Sequence, residues 1–530
     1  MKMNVRTILR IVVAVVVIAV LGWQWLGRHH AHDHPATARV AAATTAAKPA
    51  TPVKPAPPAT LRMGSLTLTA CELKQPQSAA TTPAFCAHYP VPENHTDPHS
   101  RAIALKLAII QSASQVPDKD LVVYLAGGPG QSSIQSYPEL APGFAPLLKN
   151  HDLLLLDQRG TGGSNPLRCP AVEKQMDALP ASATTAQRAQ LVGACAKEVE
   201  KTASPQYYTT LQSVADLEAV RKALGSPKLD LVGVSYGTRL AQKYAQAYPA
   251  AVRSIVLDGV VPNQLVLGET FASSLQHALK LQAAACSATP ACKKAYGDWY
   301  TTLHQLYAKL KSEPPQKVTF PDPTTFQPVT RTLDADTLAS TVRLFAYSAA
   351  TSALLPLSVS QAARGNYAPL LGQSHLINGD LAAGLQFGMN LSVVCSEDAP
   401  LLKPRPQDAD TLLGNTGVDS YIADCKVWPH APLPPNFHAP FKSSIPTLLI
   451  SGSRDPVTPP AFAAEVLKGL SNGRSLVANG LGHAEAIDAG CVPRLVDKFI
   501  DKLQPKQLDA TCLKRIGPIP AFVNFNGATP

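Results

Sequence analysis

LDLVGVSYGTRLAQKYAQAY, residues 229–248, decides how this chain is read. LDLV is a short apolar run suited to a buried strand. TRLAQKYAQAY, from Thr238 to Tyr248, carries apolar residues at helical spacing and stops before Pro249. Between them stands Gly233-Val234-Ser235-Tyr236-Gly237. In such a G-x-S-x-G elbow the serine sits on a strained strand-to-helix turn, and the flanking glycines avoid collisions that any Cβ would make. A merely structural serine in a Gly-rich turn is the plainer reading. The strand before it and the helix after it argue against that.

Working outward, seven further apolar runs read as strands: LTLTA (66–70), AIALKLAII (102–110), LVVYLAGG (121–128), LLLLDQRG (153–160), SIVLDG (254–259), TLLISGSRD (447–455) and SLVANGLGH (475–483). A helical pattern spans Thr210 to Leu224 and ends on Gly225. Strands alternating with helices predict an α/β fold with a mainly parallel sheet, here of eight strands, covered by helices on both faces. A nucleophilic serine needs a base, and the base an orienting acid, in the chain order Ser, Asp or Glu, His. Asp455 leaves the end of one strand and His483 follows the last, so Ser235, His483 and Asp455 form the expected triad. Asp258, Glu485 and Asp488 compete for the acid's place. The oxyanion requires two aligned N–H donors. Tyr236 supplies one, and the Ala126-Gly127-Gly128-Pro129-Gly130 turn the other, through Gly128 first and Gly127 second.

The chain has 530 residues, 45% hydrophobic and 16% charged, which excludes wholesale disorder. The net charge of +10 is scattered without a Lys/Arg run, so no nucleic-acid partner is expected. Lys2, Arg6 and Arg10 precede the uncharged stretch IVVAVVVIAVLGWQWLG, residues 11–27. Residues 1–28 therefore read as an uncleaved signal anchor facing the periplasm or outside, or as a cleaved signal peptide of a secreted or periplasmic protein. Residues 29–64, rich in Ala, Pro and Thr, read as an extended stalk whose His29, His30, His32, Asp33 and His34 are solvated and hold no metal. Ten cysteines without a C-x-x-C motif fit disulfides in an oxidising compartment. Each successive couple lies within one local segment: Cys71 with Cys86, Cys169 with Cys195, Cys286 with Cys292, Cys395 with Cys425, and Cys491 with Cys512.

Taken together, GGPG after a strand, DQRGTGGS (157–164), GVSYGT (233–238), SGSRDPVTPP (451–460) and GLGH (480–483) resemble the α/β-hydrolase peptidases of the proline iminopeptidase and tripeptidyl aminopeptidase group. The segment DLEAVRKALG (216–225) is similar to the secreted tripeptidyl branch, and the resemblance covers roughly residues 66–515. Ala126 stands where proline iminopeptidases have histidine before GGPG, a departure that bears on substrate detail. The resemblance implies an α/β-hydrolase core (65–262 and 443–515), an inserted, mostly helical cap (263–442) and a short tail (516–530). Helical stretches at 269–285, 295–313 and 334–355 suit such a cap. It further implies a serine aminopeptidase working through an acyl-enzyme, with acidic cap residues holding the substrate's free amine. Glu397, Asp398 and Asp424 are the candidates for that role. A carboxylesterase or lipase on small esters is the alternative, and a non-catalytic binding module the third. Serine in the nucleophile position excludes the related enzymes that use aspartate there. Substrate is thus a peptide or small ester, the membrane is met only through the N-terminal segment, and no metal or organic cofactor is implied.

Overall fold

The computed structural model describes residues 58–528 apart from 75–80, 178 and 180–182; the apolar N-terminal run and nearly all of the stalk lie outside the described residues. The strands are β1 (Thr60–Met63), β2 (Leu66–Lys74), β3 (Thr81–Pro92), β4 (Ala102–Ile110), β5 (Leu121–Leu125), β6 (Leu153–Leu156), β7 (Leu229–Val234), β8 (Val252–Asp258), β9 (Gln316–Pro321), β10 (Pro328–Leu333), β11 (Thr447–Gly452) and β12 (Gly473–Ala478), with a small pair at Phe522–Asn524 and Gly527–Ala528. Ten of them form one sheet in the order β1-β2-β3-β4-β6-β5-β7-β8-β11-β12. From β6 to β12 all neighbours run parallel, while β1 to β4, and β4 with β6, are antiparallel. LVVYL, LLLL and LDLVGV are buried at every position. Parallel strands covered on both faces require this continuous apolar pattern.

The sheet is wider than the eight strands expected, because β1 and β3 were not legible as strands. β3 contains Pro83, Pro90 and Pro92 and alternates exposed with covered positions, which demotes a strand when read by pattern alone. It is held in place by pairing with β4 from Phe85 opposite Ile109 to Pro92 opposite Ala102. On one face, Leu217, Val220, Leu240 and Tyr244 carry helices Thr210–Leu224 and Tyr236–Ala247 onto the sheet. On the other, Phe144, Leu495, Val496 and Phe499 do the same for helices Ser133–Phe144 and Val492–Lys502. Full burial of each such side chain contributes about 1.5–3 kcal/mol. Helix Thr210–Leu224 starts on Thr209, whose side chain accepts from Gln212 N–H, and stops at Gly225 with φ 72°. That left-handed position is where glycine is favoured.

Between β8 and β11 the chain builds the cap around Leu275, Trp299, Leu303, Leu338, Phe345 and Val359. It is mostly helical and also contains the antiparallel β9–β10 hairpin. The tail returns along it: Phe522 N–H donates to Ala353 O at 3.0 Å, and Tyr296 Oη donates to Phe522 O at 2.7 Å. All five expected cysteine couples are bonded, and Cys71–Cys86 ties β2 to β3 beside their backbone ladder.

Candidate active site

Ser235 lies between the carboxyl end of β7 and helix Tyr236–Ala247, with φ 54° and ψ −124°. A non-glycine residue at positive φ is strained, and the surroundings hold it there. Ser235 N–H donates to Asp258 O at 2.9 Å, and Ser235 O accepts from Thr238 N–H at 2.9 Å and Thr238 Oγ1 at 2.6 Å. The flanking glycines are required by close approach. A Cβ on Gly233 would lie 2.6 Å from Gly237 O, and one on Gly237 would lie 2.0 Å from Leu125 O.

His483 arrives on the loop after β12 and Asp455 on the loop after β11. His483 Nε2 is 2.9 Å from Ser235 Oγ, and His483 Nδ1 is 2.8 and 3.0 Å from the two oxygens of Asp455. An ionised carboxylate only accepts, so Nδ1 carries the proton and Nε2 is left to accept from the Ser235 hydroxyl. Asp455 is itself fixed by Val457 N–H (2.8 Å), Thr458 N–H (2.7 Å) and Thr458 Oγ1 (2.8 Å). Burial pushes the Asp455 carboxyl up, but His483 and these donors outweigh it and hold it below its ordinary value. Burial conversely depresses His483, and the attraction of Asp455 overcomes that and raises it. The pair is thus built to stabilise an imidazolium.

The GGPG turn backs onto the serine: a Cβ on Gly127 would be 2.9 Å from Ser235 Cβ. Gly128 has φ 106°. Behind this turn, Asp157 accepts from Ser132 Oγ (2.5 Å), Ile134 N–H (3.0 Å) and Gly163 N–H (2.9 Å), and Gln158 Nε2 donates to Ala126 O at 3.2 Å. Sequence reasoning quoted DQRG as a family mark without assigning it this bracing role. Its position at the end of a buried strand was the available signal. On the far side of the serine, Tyr236 Oη is 2.6 Å from Thr210 Oγ1.

The three acids expected to meet a substrate amine have partners inside the protein. Glu397 is fully buried and accepts from Thr210 N–H and Thr210 Oγ1, each at 2.6 Å. Asp398, equally buried, receives both hydrogen bonds from Arg239 Nη1, at 2.9 and 3.1 Å, and one from Leu267 N–H at 2.9 Å. Asp424 accepts from Arg188 Nε at 3.2 Å. Of the competing triad acids, Asp258 accepts from Ile487 N–H at 2.8 Å, Glu485 accepts from Gly482 N–H (2.7 Å) and Ala349 N–H (2.9 Å), and Asp488 packs against Gly143.

Burial pushes Asp258 and Glu397 up to about 7, against the hydrogen bonds that favour their ionised forms. Unfolded carboxyls titrate near ~4. Between ~4 and ~7 the native state therefore holds more protons, so these groups make stability fall as pH rises through that window and level off above it. Asp258→Asn is expected to flatten this decline. Melting temperatures of both proteins from pH 4 to pH 8 check it, and parallel curves would show that Asp258 carries none of the slope.

The α/β hydrolase fold family matches residues 120–489. Among individual proteins, the chain is 28% identical over 248 residues to the putative hydrolase YuaR of Escherichia coli, covering 43% of this chain and 48% of that protein. It is 30% identical over 243 residues to the serine protease Hip1 of Mycobacterium tuberculosis, covering 42% and 45%. It is 28% identical over 198 residues to the tripeptidyl aminopeptidase of Streptomyces lividans, covering 34% and 36%. The matched segments thus span less than half the length of these relatives. With a family match running across most of the chain and a serine elbow, acid and histidine placed at the ends of parallel strands, this protein belongs to the α/β hydrolase fold family.

Proposed function

We propose that this chain is an exported serine peptidase that removes N-terminal residues or short peptides from peptide substrates. The unbroken hydrogen-bonded path from Ser235 through His483 to Asp455 carries the reading. Ser235 Oγ attacks the scissile carbonyl while His483 Nε2 takes its proton. Asp455 holds the tautomer and stabilises the imidazolium. The N–H groups of Tyr236 and Gly128 receive the developing oxyanion, with Gly127 pressed against the serine. His483 then protonates the leaving amine, an acyl-enzyme remains, and water attacks it with His483 acting again as base. The peptide preference is supported by the names of the relatives, Hip1 serine protease and tripeptidyl aminopeptidase. Export is supported by the basic and apolar N-terminus and by five disulfides, which persist in oxidising compartments.

One observation favours a small-ester hydrolase instead: Glu397, Asp398 and Asp424 each already have hydrogen-bond partners within the protein, which counts against their holding a substrate amine. The two readings part on one assay. The full-length protein is offered Ala-, Pro- and Ala-Ala-Pro p-nitroanilides beside p-nitrophenyl butyrate, with Ser235→Ala as control. Turnover of anilides with a free amine, lost in Ser235→Ala, is the expected result. Turnover confined to the ester would replace the peptidase reading by the esterase one.

A further inference from the structure

Arg343 belongs to cap helix Ala335–Ala346, and its guanidinium lies 4.4 Å from the centre of the Phe271 ring. Its side-chain hydrogen bond is a long one, from Nη2 to Tyr347 Oη at 3.4 Å. Among the described residues no carboxylate forms an ion pair with it. The two fully buried arginines are treated differently by the fold: Arg159 is paired with Asp216 at 2.7 Å and Arg239 with Asp398 at 2.9 Å. Neutral phenols supply hydrogen bonds and no charge. A half-covered guanidinium in such company is a cation short of its counter-ion, and desolvated charge is costly until paired.

Its position is beside the reacting groups. Tyr347 sets its ring edge-on to His483 with centroids 5.4 Å apart, and Tyr347 O accepts from His483 N–H at 2.7 Å. Arg343 lies one helical turn before Tyr347 and close enough to His483 to oppose its protonation, which burial already disfavours. It also bears on Tyr421, whose Oη donates to Asn390 Oδ1 at 3.1 Å, while Asn390 Nδ2 donates to Pro129 O at 3.3 Å, next to Gly128. The guanidinium thus shares Tyr347 with the histidine, and its charge bears on Tyr421, which is hydrogen-bonded through Asn390 to the GGPG turn.

We propose that Arg343 receives a carboxylate of the substrate, so that the site selects peptides bearing one near the scissile bond. This rests on the reading of Ser235 as nucleophile. The carboxylate has two sources, the free C-terminus of a short peptide or an Asp or Glu side chain. A planar guanidinium binds either with two parallel hydrogen bonds. Asp398 and Asp424 are each paired with an arginine of the protein, Arg239 and Arg188, whereas Arg343 has no such ion-pair partner among the described residues.

Three peptides test it on the full-length protein: Ala-Ala-Ala-Ala as the free acid, the same peptide as its C-terminal amide, and Ala-Ala-Ala-Asp amide. We expect kcat/KM at least about tenfold higher for a carboxylate-bearing peptide than for the neutral amide, chiefly through KM. An advantage for the free acid alone identifies the terminus, and one shared by the Asp amide identifies the side chain. Arg343→Gln should bring the ratio close to one, and Arg343→Lys should keep part of it. The ratio within one protein is insensitive to partial misfolding. Equal kcat/KM for all three in the wild type, or a ratio unchanged in Arg343→Gln, overturns the role of Arg343 while the peptidase reading stands. If no peptide is cleaved but p-nitrophenyl butyrate is, the peptidase reading fails. Calorimetric binding of the same peptides to Ser235→Ala, with and without Arg343→Gln, then decides. Tighter binding of a carboxylate form that vanishes with the arginine upholds the proposal, and equal or no binding overturns it.

Discussion

Asp455→Asn is expected to lower kcat by about 10⁴-fold with little change in KM. Every partner of Asp455 is a donor: Val457 N–H, Thr458 N–H, Thr458 Oγ1 and His483 Nδ1. An amide in this place has one acceptor oxygen and one NH₂. If the oxygen stays with the two backbone donors, the NH₂ faces Nδ1, and the imidazole must carry its proton on Nε2. That nitrogen then donates toward Ser235 Oγ at 2.9 Å and cannot take its proton. Asp258 gives the contrasting result. It touches the serine only through its carbonyl, and one of its carboxylate oxygens accepts from Ile487 N–H while neither bonds His483, so Asp258→Asn should keep kcat within about tenfold. Steady-state kinetics of the two variants on one substrate discriminate the acids. A loss under tenfold for Asp455→Asn together with a large loss for Asp258→Asn would transfer the orienting role to Asp258.

These two aspartates show what could be read from the chain and what could not. Ser235, Asp455 and His483 each follow directly on an apolar run, so strand ends located them without knowledge of the fold. The central parallel strands were legible for the same reason. β3 was not, because its prolines and exposed alternate positions hide a strand that pairing with β4 nonetheless stabilises. Glu397 and Asp398 follow an apolar helical stretch and look like surface acids at its end. Their burial depends on Thr210 and Arg239, which are 187 and 159 residues away in sequence. Which acid is consumed by the protein and which is offered to substrate is set by such distant partners. Local pattern carries no trace of them.

The same holds for Arg159, where the largest effect on stability is expected. Its side chain is fully buried and spends its donors on four sites: both oxygens of Asp216 at 2.7 Å, Tyr207 O at 2.8 Å, Glu93 O at 2.5 Å and Pro92 O at 3.3 Å. These contacts join the loop after β6 to helix Thr210–Leu224, the end of β3 and the segment leading into that helix. Arg159→Met keeps much of the volume but removes the charge, leaving the Asp216 carboxylate, 2% exposed, with the His95 ring nitrogen Nε2 at 2.7 Å as its remaining side-chain partner. Breaking a buried pair from one side costs about 3–5 kcal/mol, because the stranded charge has no water. Replacing both members by apolar residues costs far less. Arg159→Met should therefore unfold at markedly lower urea concentration, and Arg159→Met/Asp216→Leu should recover a substantial part of the loss. A double variant as unstable as the sum of its singles would show that the backbone contacts, and not the charge pair, dominate. Activity adds a second readout, since Asp157 and Gln158 brace the GGPG turn from the same loop. In folded Arg159→Met a loosened loop is expected to lower kcat more than it raises KM, because the oxyanion donors act in the transition state.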